Sequence, residues 1–322
     1  MSHRCLAAVF TVIVGVALAP VFAAAQSANT TAPPQTAWGQ PDLQGIWDFR
    51  TITPLQRPED LADQEFLTAE EAANLEQEAA DRDARLWEQG ARRAEAGGNV
   101  GAYNNFWMDR GLKAVGTRRT SLIVDPPDGR IPPLTPEGQR RADARREYLR
   151  AHPADSWLDR NLWERCISRG VPRVPNNYNS NMLILQTPVA VVILNEMINE
   201  TRVIHLDGRP HVTSRIRLWN GDPRGRWEGD TLVVETTNFD DKQVFRGFPV
   251  GILRLVERFT RVGPDQIDYR MTLTDQGTYS GPWTVALPMT KTGGPIFEYA
   301  CHEGNLGMEG ILAGHRADEA AR

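Results

Sequence analysis

From Asn181 to the region of His302 the chain is a succession of short period-two runs divided by glycine and proline. That pattern limits the fold more than any other feature. The runs are Met182–Thr187, Val189–Met197, Arg202–Leu206, Ser214–Trp219, Thr231–Phe239, Leu253–Val262, Gln266–Thr274, Trp283–Met289 and Ile296–His302. Turn residues stand between them at Gly208-Arg209-Pro210, Gly221-Asp222-Pro223, Gly263-Pro264 and Gly293-Gly294-Pro295. Strand side chains alternate faces, so each run can bury one face and solvate the other. Many short strands joined by tight turns remove their exposed edges by closing on themselves. The expected class is mainly β, an antiparallel meander closing into a barrel.

The preceding segment reads as helical. Thr68-Ala69-Glu70-Glu71 has the spacing of a capping box and opens a charged helix running to about Ala94. Thr135-Pro136-Glu137 places a cap before a proline at the first helical position, starting a helix through about Arg150. Trp157, Leu158, Leu162 and Cys166 recur at helical spacing and predict a third, short helix. Leu122-Ile123-Val124, leading into Pro126-Pro127-Asp128-Gly129, reads as a strand entering a turn. The expected organisation is a leader at 26–40, one barrel-like domain at 41–312 with a helical insertion at about 66–166, and a tail at 313–322.

Gly45-Ile46-Trp47 resembles the Gly-x-Trp that opens the first strand of lipocalin-like barrels. Arg226-Trp227-Glu228-Gly229-Asp230-Thr231-Leu232-Val233-Val234 is similar to a Trp-x-Gly-Asp-x-Leu hairpin of the same broad class. The stretch from Val203 through Asn305 resembles an uncharacterised family of secreted soil-bacterial proteins. These resemblances imply a lipocalin-like barrel and import no chemistry.

The N-terminus implies export. Arg4 precedes an uncharged apolar run from Leu6 to Val21, and Phe22-Ala23-Ala24-Ala25 supplies the small residues a signal peptidase requires. The expected signal peptide is 1–25, cleaved after about Ala25, leaving a periplasmic or secreted protein without a stable membrane anchor. Cys5 departs with it. Cys166 and Cys301 remain, and in an oxidising compartment a lone pair far apart in sequence is expected to form a disulfide. Acidic residues exceed basic ones, 41 to 36, with no basic block, so nucleic acid is not an expected partner. Dinucleotide, phosphate-loop, Cys-x-x-Cys, serine-elbow and zinc-helix motifs do not occur in the sequence, and no cofactor is expected.

Four acidic or basic groups stand out as catalytic candidates. Glu196 and Glu257 alternate in register with apolar neighbours, and burial raises a carboxyl pKa toward the range useful for acid–base work. Glu235 has a similar pattern; the competing reading is that each glutamate pairs with an arginine such as Arg202, Arg215, Arg217, Arg254 or Arg258. His302 follows Cys301 and shares a predicted strand face with Glu298, which is the arrangement of an oriented base. Tyr178, Asn179 and Asn181 lie in a polar loop suited either to a ligand or to ordinary turn chemistry. Arg215 and Arg217 are candidates to neutralise an anion, and Trp227 to stack on a ring. His205 and His211 with His302 are weak metal candidates, because their spacing matches no metal motif and Gly208-Arg209-Pro210 reads as a hairpin. No metal is expected.

The expected ligand is a small apolar or aromatic molecule in a barrel cavity. With these candidates the chemistry is cofactor-free lyase, isomerase or hydrolase catalysis. A non-catalytic lipocalin-like binder and a structural envelope module are the alternatives.

Overall fold

The computed structural model describes residues 33–89, 105, 108–175, 178–245, 248–249 and 251–321. The expected signal peptide and its cut lie outside the described residues. Nine strands close into a barrel. In spatial order they are β1 (Gly45–Asp48), β3 (Asn181–Gln186), β4 (Ala190–Asn195), β5 (Glu200–His205), β6 (Asp222–Glu228), β7 (Thr231–Thr237), β10 (Arg254–Gly263), β11 (Gln266–Thr274) and β13 (Met289–Thr292). β13 returns to β1 through Ile46 opposite Thr292, and this pairing closes the ring. The short strands β12 (Trp283–Ala286) and β2 (Ile123–Asp125) extend outward from the later half of β11. β8 (Val244–Phe245) and β9 (Phe248–Pro249) form a separate hairpin.

The barrel is mixed, not wholly antiparallel. β5 and β6 run parallel, with His205 opposite Arg224. A parallel connection needs a crossover of a dozen or more residues, and 206–221 supplies it. Gly208-Arg209-Pro210 therefore begins a crossover, not the simple hairpin its composition suggests. Within that link Ser214–Trp219 is not a strand. The Arg226–Val234 motif does form the β6–β7 hairpin, with Trp227 opposite Leu232.

Alternation decides what fills the ring. Trp47, Met182, Ile184, Ile193, Phe259, Tyr269 and Met271 are each at most 1% exposed. The Phe259 and Tyr269 rings stack at 4.5 Å. Arg261 lies over the Trp47 ring and bonds to the backbone oxygens of Asp42, Gly263 and Pro264. Burial lowers the pKa of its guanidinium.

The helices lie where the sequence places two of them. α1 (Ala69–Glu88) has the capping box: Glu71 N–H donates to Thr68 Oγ1 at 3.1 Å, and Thr68 N–H donates to Glu71 Oε2 at 2.7 Å. Those bonds hold the Glu71 pKa below its ordinary value. α2 (Pro136–Ala151) is capped by Thr135, and a side chain at Gly138 would collide with the Thr278 carbonyl. The segment from Trp157 to Cys166 keeps only one helical turn, Trp157–Asp159. Most of the expected tail at 313–322 instead belongs to a third helix, α3 (Leu306–Ala320), capped by Asn305.

Ile296–His302, expected as a strand, pairs with no strand. β1 already takes the edge of β13 through Trp47–Lys291 and its neighbours, so closure leaves no edge for another strand. The period-two run lies as an unpaired segment, a strap, against the turn between β4 and β5.

Candidate functional site

The strap is fixed at several points. Phe297 N–H donates to Glu196 Oε1 at 3.0 Å, and Asn181 Nδ2 donates to the other oxygen, Oε2, at 2.8 Å. Asn199 then behaves like a strand residue using its side chain. Its Oδ1 accepts from Tyr299 N–H at 3.1 Å and its Nδ2 donates to Tyr299 O at 3.2 Å. The Glu196–Glu200 turn presents that amide because Ile198 and Asn199 have φ of 63° and 48°. Asparagine tolerates this left-handed backbone, whereas a β-branched isoleucine adopts it only under constraint from its surroundings. Beyond Tyr299, the sulfurs of Cys166 and Cys301 are 2.09 Å apart in a disulfide.

Between strap and barrel lies a pocket of about 440 Å³. Glu200, Trp219 and Asn220 line it from the barrel side, and Glu298, Tyr299, His302 and Glu303 from the strap. The Glu200 carboxylate belongs to a buried network. Ser168 Oγ and Asn220 Nδ2 donate to Oε1, the latter at 2.6 Å, and Arg173 Nη2 donates to Oε2 at 3.2 Å. Gln243 Nε2 donates to Ser168 Oγ at 2.8 Å. Burial pushes the Arg173 guanidinium down to about 10, against the opposing attraction of Glu200.

Two residues further along β5, a second charged layer begins. Arg202 spans the interior to Glu257 on β10, with Nη1–Oε2 at 2.7 Å and Nη2–Oε1 at 2.9 Å. Tyr269 O–H donates to Glu257 Oε1 at 2.6 Å. Burial opposes the Arg202 charge, but Glu257 outweighs it and holds the guanidinium above its ordinary pKa. Burial, reinforced by Glu257, raises the Tyr269 hydroxyl well above its ordinary value. Polar groups this deep need partners, and each member of the triad supplies one.

The four catalytic candidates separate accordingly. His302 and Glu298 share the pocket lining but are exposed, and no hydrogen bond joins their side chains. Their expected common strand face is absent because the strap is not a strand. Glu257 lies inside the barrel as an ion-pair partner. Glu196 is the buried anchor of the strap. Glu235 pairs on the outer face with Arg254 at 2.7 Å.

The binding candidates have other roles. Asn181 holds Glu196, while Asn179 occupies a left-handed turn position at φ 51°. Tyr178 is half-buried and its phenol contributes to the field at Arg169, where burial lowers the guanidinium pKa. Arg215 is exposed on the crossover. Arg217 donates to the Phe239 and Gly251 carbonyls, and Trp227 packs on the core. His211 turns to Asp222 at 3.0 Å. His205 ends β5, at the far end from Glu200 and hence from His302. These histidines form no metal-ligand group; among the described residues that proximity occurs at Asp155, His315 and Glu319.

Sequence reasoning missed Ser168, Arg173, Glu200, Asn220 and Gln243. Glu200 begins a strand whose inward positions also carry Arg202, and that alternation was its available signal. Comparison of the chain with protein families, curated proteins and solved structures returns no match.

Proposed function

We propose that this is an extracytoplasmic binding protein for a small aromatic or apolar amine, held in the strap-covered mouth of the barrel. The observation that carries the reading is the composition of the pocket. Its lining contains Glu200, Glu298 and Glu303 but no arginine or lysine, and it includes Trp219 and Tyr299. Glu200 is compensated by Arg173, whereas Glu298 and Glu303 are exposed and make no ion pair among the described residues. A cationic head would meet two carboxylates there, and an aromatic face attracts cations as well as apolar surface. The interior residues are packed against one another, which favours a ligand at the mouth over one in the barrel cavity expected from sequence.

A second reading rests on His302 and Glu298 lining the same pocket: acid–base turnover of the bound molecule. Titrating purified protein with phenethylamine, tryptamine and benzylamine, against the matched alcohols, tests both. Binding of at least one amine, followed by tryptophan fluorescence and weakened about tenfold in Glu298→Gln/Glu303→Gln, supports the binder. Equal affinity for amine and alcohol, or no binding of any amine, refutes it. Chemical conversion of a bound amine, lost in His302→Ala, replaces it with the enzyme.

A further inference from the structure

α3 ends in a second group of chemistry-bearing side chains, away from the pocket lining. His315 and Glu319 stand one turn apart on its C-terminal half. Opposite them, His152 caps α2 and Asp155 follows in the next turn. His315 Nε2 lies 3.0 Å from Asp155 Oδ1 and 3.4 Å from Glu319 Oε1. One nitrogen thus faces two carboxylate oxygens, an arrangement satisfied by a proton on Nε2 or by a metal ion held among the three atoms. One ligand atom from each of Asp155, His315 and Glu319 falls within 4.8 Å of the others.

We propose that Asp155 Oδ1, His315 Nε2 and Glu319 Oε1 bind a divalent first-row transition metal, with zinc the fitting ion. Metal–ligand lengths of about 2.0–2.2 Å in a tetrahedron place neighbouring ligand atoms roughly 3.3–3.6 Å apart. The His315–Glu319 separation of 3.4 Å matches, the His315–Asp155 separation of 3.0 Å would open by a few tenths of an ångström, and all three atoms lie within 4.8 Å of one another. Imidazole and carboxylate together suit zinc better than calcium or magnesium, which take oxygen alone. Three protein ligands leave a fourth position for water.

The surroundings orient the ligands. Asp155 Oδ2, the oxygen turned away from His315, lies 2.6 Å from His152 Nδ1. The His152 ring packs against Tyr148 at 4.6 Å. Tyr148 O–H donates to Asp159 Oδ1 at 2.8 Å, and Asp159 Oδ2 accepts from Ser156 N–H at 2.8 Å. Arg316 is the nearby cation; its Nη1 takes Glu319 Oε2 at 2.9 Å and its Nη2 the Asp155 backbone oxygen. Glu319 Oε1 is left for the metal. His315 is 12% exposed, while Asp155 and Glu319 are 43% and 45% exposed, so an ion can enter from solvent. The metal clamps α3 onto the loop after α2.

The test is calorimetric titration of zinc into the disulfide-bonded full chain, stripped with EDTA, at pH 7.5. The site predicts one ion per chain, with cobalt giving the visible absorption of a low-symmetry site. His315→Ala and Glu319→Gln should each weaken binding at least 100-fold, and His152→Ala about 10–100-fold as an outer partner. His211→Ala should leave it unchanged. Circular dichroism checks that the variants keep their fold. Absence of zinc uptake, or uptake that persists in both His315→Ala and Glu319→Gln, overturns the site and leaves a proton-shared histidine–carboxylate cluster.

Discussion

Arg202 and Glu257 meet inside the barrel through two parallel hydrogen bonds, of 2.7 and 2.9 Å, although their strands are separated in the sheet by β6 and β7. The pair therefore reaches through the interior between strands that are not neighbours in the wall. It also accounts for the position of Tyr269, whose hydroxyl completes the Glu257 carboxylate.

Removing one partner strands the other. Glu257→Ala should cost about 3–5 kcal/mol, because a buried guanidinium loses its counter-charge. Arg202→Met with Glu257→Leu should recover most of that loss, since hydrophobic replacement removes both charges. Urea denaturation of the two variants checks this; equal losses would show that the pair is not coupled.

The Tyr269 hydroxyl has its own pH signature. Its folded pKa is raised, so its contribution to stability is fully present below the unfolded tyrosine pKa near 10 and is lost as pH rises through the folded value. Absorbance at 295 nm should therefore be the same for the native protein and Tyr269→Phe until alkaline unfolding. A Tyr269-dependent absorbance change within the folded range would contradict the assignment.

The disulfide closes a long loop. Cys166 and Cys301 are 135 positions apart, and chain-entropy arithmetic gives about 5 kcal/mol for such a closure. Cys166→Ala/Cys301→Ala should lower the denaturant midpoint accordingly and expose the strap to proteolysis. A midpoint unchanged from the native protein would show that the other strap contacts suffice.

Asn199 tests those contacts separately. Asn199→Gly accepts the φ of 48° yet loses both bonds to Tyr299. It should cost about 1–2 kcal/mol and speed hydrogen exchange at the Tyr299 amide. Unchanged exchange there would mean that the disulfide alone holds the strap.

The barrel was legible in the sequence because alternation survives at single-residue detail. Gln266–Thr274 folds as predicted, and Met182–Thr187 shifts by one residue. Its closure was not visible in the same signal. Ile296–His302 alternates like the other runs, but the pairing of β13 with β1 occupies the edge it would need. Nor does alternation distinguish a parallel neighbour, so the β5–β6 crossover read as a hairpin. The site was half legible for a related reason. His302 and Glu298 were named from their place beside Cys301 and do line the pocket, whereas their partner wall comes from Glu200, Trp219 and Asn220 on elements remote in sequence. Glu257 and Glu196 were correctly read as buried; which partners met them depended on tertiary placement, and Arg202 was among those weighed. His315 and Glu319 went unnoticed because the segment was taken for a tail, although their spacing is that of one helical turn.

A crystal structure with the tightest-binding amine most directly tests the central claim that the ligand occupies the mouth and not the interior. Its ammonium group should lie within hydrogen-bond distance of Glu298 or Glu303 and its apolar part against Trp219 or Tyr299, with Tyr269 and Phe259 still stacked. An amine inside the barrel that displaces those rings, or one bound only elsewhere on the surface, would contradict it.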